Sequence, residues 1–226
     1  MIIEKPQLKE KYDIIIIGAG ITGLAISRFL NQNDKKILIV ESGDLKFNKT
    51  INKDSYAVAK NLGNWPTENY ASYYSRVRML GGNANVWGGW CMELDEYDYK
   101  HSNEWNLIKN DLQYHYKKAY EMLNIDPKSI LKDELNIKSV SPYVINITRG
   151  NFINESKEYL EKSINIDLII KTKLTKLNFE KNKISSLNLE TQIGESINIK
   201  LNSLVISAGG IETTKILIKH LPENIQ

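Results

Sequence analysis

Apolar residues in this chain come in short runs separated by polar connections. Residues 14–17 are four isoleucines in succession, and 37–40 form a second unbroken apolar run. Runs without polar alternation fit strands buried on both faces, as in a parallel sheet. Between them, 24–30 continues as a helix and 31–36 is polar. Farther on, 111–123 is amphipathic, with Leu112, His115, Tyr116, Ala119 and Met122 at helical spacing. This places His115 on or beside the inner face, as a structural histidine. A helix is expected over 154–162 and a strand over 167–170. Short strands follow at 174–179, 184–189 and 197–201, with turns at 181–182 and 192–194. Ile197, Ile199 and Leu201 alternate with polar neighbours, as in a half-buried antiparallel strand. These three read as a meander. Residues 203–207 then read as a separate buried strand, and 212–220 as a helix with Pro222 beyond its end. The stretch 42–66 is mostly irregular, with one short helical segment at 56–62. The succession is α/β.

Glycines placed directly after the first run turn this pattern into chemistry. Gly18, Gly20 and Gly23 have the spacing GxGxxG between a strand and a helix. The first suits a tight turn, the second a close approach of backbone to a pyrophosphate, and the third close helix–strand packing. Phosphates would meet free N–H groups at the positive end of the helix. The second strand ends in Glu41, where a carboxylate can accept from a ribose 2′-OH. An acid there disfavours a 2′-phosphate, leaving NAD and FAD open. Strand, glycines, helix, strand and acid fall in register, which sets this apart from an ordinary glycine-rich turn.

A second glycine-rich stretch follows. Gly81–Gly82 and Gly88–Gly89 bracket Asn83 to Trp87, with Arg78 three residues before the first pair. Doubled glycines are costly unless backbone must approach something flat or other backbone, so the segment reads as a second wall of the cofactor site. Arg78 suits a phosphate or an electron-rich ring.

With these residues in view, the chain resembles the glucose–methanol–choline (GMC) family of FAD-dependent oxidoreductases. The glycine unit ending in Glu41, the Arg-x-x-Gly-Gly segment at Arg78, Gly81 and Gly82, and the Trp87–Gly88–Gly89 ending carry the resemblance. It implies a Rossmann-like FAD-binding fold, a parallel sheet with an inserted three-stranded antiparallel meander, incomplete at the C-terminus. Residues 1–93 would be the first part of the FAD-binding domain and 94–165 the start of a substrate region. Residues 166–226 would be the second part of the FAD-binding domain. The implied FAD contacts are Gly18, Ala19, Gly20, Thr22, Gly23, Glu41, Ser42, Arg78, Gly81, Gly82, Asn85, Ala208 and Gly209, with backbone near Leu174 at the adenine. Val86 stands where some relatives attach flavin to a histidine, so the FAD would be non-covalent.

The implied activity is oxidation of a CH–OH group in a sugar or alcohol, by a dehydrogenase sooner than an oxidase, with the electron acceptor left open. The resemblance covers only the N-terminal half of the family. His101, His115 and His220 match none of its catalytic positions, so no catalytic residue is assigned. A truncated or split fragment that holds FAD weakly, or only with a partner chain, stands beside the enzyme reading.

Composition adds limits. A formal charge of +3 without a basic stripe gives no reason to expect nucleic acid. The single Cys91 excludes an internal disulfide and suits a reducing compartment. The N-terminal residues lack a signal peptide's apolar core, and no run is long enough to span a membrane. A cytoplasmic protein with no metal site is the expectation.

Overall fold

The computed structural model describes residues 8–31, 34–53, 76–101, 103–126, 145–148 and 151–222. The helix expected at 56–62 lies outside them. The chain divides into two compact units, 1–86 with 153–226, and 87–152.

The first unit is built on a six-stranded sheet of order β5-β2-β1-β8-β7-β6. Its strands are β1 (Lys11–Ile17), β2 (Ile37–Val40), β5 (Ile166–Ile169), β6 (Thr172–Glu180), β7 (Lys183–Thr191) and β8 (Ser196–Ile206). β5, β2, β1 and β8 run parallel, with Ile17 opposite both Val40 and Ile206. The unbroken apolar runs have the expected consequence, since all four residues of β2 and of β5 are buried. A polar pair lies within this core: the Tyr12 hydroxyl donates to Asp167 Oδ2 at 2.9 Å, and Lys9 pairs with the same carboxylate. Helices α1 (Ile21–Leu30), α2 (Lys49–Lys53), α6 (Phe152–Lys162) and α7 (Gly210–His220) accompany the strands.

The sheet differs from the sequence reading at one point. The third meander strand and the returning strand are a single strand, β8. Residues 196–200 pair antiparallel with β7, while 200–206 pair parallel with β1. The polar Asn202 and Ser203 do not interrupt it. They are exposed, and Asn202 Nδ2 donates to Asp13 Oδ1 at 3.2 Å. Beyond Lys200, the edge of β8 on the β7 side pairs with no strand among the described residues.

The second unit contains α3 (Glu96–Lys100), α4 (Asn103–Leu107), α5 (Lys109–Met122) and a ribbon of β3 (Trp90–Cys91) with β4 (Asn146–Ile147). Asp95 caps α3 through the N–H groups of Tyr97 and Asp98, and Asp98 reaches back to the Asp95 N–H, closing a capping box. His115 does not face inward. It is exposed, and its ring meets the edge of Tyr114. The inner stripe of α5 runs through Leu112, Tyr116 and Ala119 to the buried Tyr120, which is the expected face without His115.

Candidate functional site

The ends of β1, β2 and β8 bring the predicted glycines together. Gly18 has φ +102°, and a Cβ there would lie 2.6 Å from the Ser207 carbonyl oxygen. A Cβ on Gly23 would lie 2.0 Å from the Gly18 carbonyl oxygen. Both positions are closed to a side chain by neighbouring backbone. Gly20 differs: it caps α1 without a side-chain hydrogen bond, and a Cβ there meets nothing within 4 Å. The first turn of α1 carries no acid, and Thr22 in that turn is exposed. An open backbone position at an uncapped helix N-terminus is the physical requirement for a pyrophosphate. Gly209 and Gly210, after β8, are open in the same sense.

Two segments flank this loop. Gly81 donates its N–H to the Ala19 carbonyl at 2.8 Å and forms an isolated parallel bridge with Gly20. Gly82 comes so close that a Cβ would lie 3.1 Å from Gly20 Cα. Asn85 closes the turn that follows, its Nδ2 donating to the carbonyls of Leu80 and Gly82 at 2.9 and 2.8 Å. On the other side, Ser207 Oγ lies 3.1 Å from the carbonyls of both Ile17 and Gly18. Ala208 packs on the core and Gly209 has φ +80°. Ser207 was not singled out by the sequence reading; its only signal was its place at the end of an apolar run.

Glu41 is 6% exposed. Its Oε2 accepts from the Ala19 N–H at 2.8 Å and its Oε1 from the Gly43 N–H at 2.7 Å. The carboxylate therefore ties the glycine loop to the end of β2. Burial pushes its carboxyl above the ordinary value, against these two donors, the charge of Arg78 and the Ser42 hydroxyl. With the Ser42 hydroxyl as a third donor, the carboxylate keeps one lone pair for a further donor. β6 begins beside this point, where Thr172 donates its N–H to the Glu41 carbonyl at 3.0 Å, and Leu174 lies two residues farther along the strand.

Arg78 lies between these segments. Its guanidinium is 3.6 Å from Glu212 Oε1 on α7, and Arg76 binds the same oxygen at 2.9 Å. Burial pushes the Glu212 carboxyl up. Hydrogen bonds from Arg76 and Lys215, with the charge of Arg78, outweigh that and hold it below the usual range. Among the described residues no group of acids, histidines and cysteine has the arrangement of a metal site. No helix among them is long and apolar enough to cross a membrane.

Comparison with known proteins agrees with this geometry. Residues 16–45 match the NAD(P)-binding Rossmann-like domain family. No curated protein matches the chain in sequence. Among solved structures, pyridoxine 4-oxidase from Mesorbium loti is similar over 92% of this chain and 52% of its own length, at 15% identity and a TM-score of 0.59. A fungal aryl-alcohol oxidase is similar over 92% of this chain and 47% of its own, at 13% identity and a TM-score of 0.57. Both are GMC oxidoreductases. This chain shares their fold. It spans about half the length of these structures. The mixed α/β architecture expected from the resemblance is the one observed.

Proposed function

We propose that this chain supplies the FAD-binding half of a GMC-type oxidoreductase that oxidises a CH–OH group of a sugar or alcohol. The observation that carries the reading is Gly20, open above the uncapped N-terminus of α1 and walled by Gly81–Gly82 and Ser207–Gly209. FAD, when bound non-covalently there, supplies an acceptor for a hydride at N5.

In this reading the N–H groups of α1 hold the pyrophosphate, with Gly20 and Thr22 at its approach and Gly18 and Gly23 keeping helix and strand close. The remaining lone pair of Glu41 accepts from the ribose, beside Ser42. Backbone near Leu174 faces the adenine. Arg78, Gly81, Gly82 and Asn85 line the flavin side, and Ala208 and Gly209 the phosphate side. The catalytic proton acceptor is not assigned to a residue of this chain.

A second reading, that FAD is held only together with further polypeptide, is favoured by the unpaired edge of β8 beyond Lys200. One experiment addresses both. The purified chain is mixed with FAD or with NAD, desalted, and its absorbance recorded. A flavin band near stoichiometric amount supports the first reading. A folded but colourless chain supports the second, and retention of NAD in place of FAD removes the flavoenzyme reading.

A further inference from the structure

Arg78 is fixed by residues that lie outside the glycine framework. Its N–H donates to Asn52 Oδ1 at 2.8 Å, and its carbonyl accepts from Asn52 Nδ2 at 3.2 Å. One side-chain amide thus pairs with this backbone as a neighbouring strand would. Asn52 is fully buried, and its Nδ2 also donates to the Asn48 carbonyl at 2.9 Å. From another side, a Cβ on Gly43 would lie 2.2 Å from the Arg78 carbonyl carbon, so the two backbones are in direct contact. The main chain of Arg78 has no room to move.

Its side chain is held differently. Glu212 Oε1 receives Arg76 at 2.9 Å, Lys215 at 3.1 Å and Arg78 at 3.6 Å. Arg78 is the outermost of the three. Glu212 sits in the first turn of α7, where a carboxylate is favoured by the positive end of the helix, and that helix follows the turn packed on Gly18. Arg78 also acts by its charge on the buried Glu41, the residue that grips the Ala19 N–H. The guanidinium therefore acts on both the Glu212 and the Glu41 carboxylates.

We propose that Glu212 is a positioning residue of the dinucleotide site, holding the Arg78 guanidinium in place before an anionic dinucleotide arrives. The inference rests on the dinucleotide reading above. Its logic is preorganisation: a long, flexible cation already held in one geometry loses less freedom on meeting its anion. Glu212 need not touch the ligand. It acts through Arg78.

The test is a double-mutant cycle on the full chain, read as the dissociation constant for FAD from flavin fluorescence. The variants are Glu212→Gln, Arg78→Met and the pair, and each is checked for an intact thermal transition without ligand. Contacting side chains that act as a unit are coupled, so Glu212→Gln alone should weaken FAD about tenfold. Added to Arg78→Met it should cost nothing more. Should Arg78→Met not fold, Arg78→Lys takes its place in the cycle, since it keeps the charge and loses the planar fork. Equal effects of Glu212→Gln with and without Arg78 overturn the proposal, as does tighter binding in Glu212→Gln, which would make the carboxylate a competitor for Arg78. A wild-type chain that binds neither FAD nor NAD overturns the reading that this chain holds a dinucleotide by itself, and this inference with it. Binding by wild type without coupling overturns this inference alone.

Discussion

The chain uses a Gly–Gly pair twice within a few residues, and the two pairs do different work. Gly81 and Gly82 have φ +88° and +51°, and they lie against the glycine loop through the Gly81 N–H to Ala19 bond and the contact with Gly20. Gly88 and Gly89 serve the short ribbon of the second unit. Gly89 has φ +72°, and its carbonyl accepts from the Thr148 N–H at 2.9 Å. A Cβ on Gly88 would only reach ordinary contact with Trp90, at 3.5 Å. The same dipeptide thus brings two backbones together in one place and opens a ribbon in the other. Doubling in a sequence marks a demand on the backbone, and the partner has to be found in space.

Substitutions separate these demands. The largest effect is expected at Gly23, which sets the ceiling for the glycine loop. Overpacking against backbone makes Gly23→Val cost about 3 kcal/mol or more, read as a lowered thermal midpoint and loss of dinucleotide retention. Gly82→Ala comes next, at about 2 kcal/mol, because a left-handed backbone and a close Gly20 act together. Its FAD affinity should fall further than its stability, and a variant that keeps wild-type affinity would break the distinction between the pairs. Gly88→Ala closes the series, within about 0.5 kcal/mol of wild type. A loss at Gly88 as large as that at Gly82 would show that both pairs answer one demand.

Acid sharpens the comparison from another direction, since the first pair follows an ion cluster. The Glu212 carboxyl is lower when folded than its unfolded value of about 4.3, so its contribution to stability is complete above that value. That contribution is lost as pH falls through the folded value. The gap between the thermal midpoints of wild type and Glu212→Gln should therefore close on acidification. A gap that persists at strongly acid pH would mean that the carboxylate is not what holds the cluster.

What was legible in the sequence follows from distance along the chain. β1, the three glycines, α1, β2 and Glu41 form one contiguous unit whose closure is local, and each lies where the pattern puts it. The short helix α2 carried a signal in Asn48, whose Oδ1 accepts from the N–H groups of Thr50 and Ile51, as an N-cap does. It stands in a stretch otherwise read as irregular. The continuity of β8 was hidden because Asn202 and Ser203 look like a break, yet polar residues are tolerated where a strand faces water. His115 lies beside, not on, the stripe of α5 through Leu112, Tyr116 and Tyr120, and one position is enough to leave it exposed. The Asn52 clamp joins residues 26 apart, and the Arg76–Glu212 pair joins residues 136 apart. No local pattern announces either.

Ser207 and Gly18 are in contact although 189 residues separate them. A loop of that length is slow to close, and little rewards it until both ends are in place. During synthesis, then, the glycine loop emerges early and waits for its far wall until β8 has left the ribosome. The order of events is written into the topology: local βαβ closure first, the completed cradle last. A nascent chain stopped before Ser196 would have its glycine loop without the strand that carries Ser207.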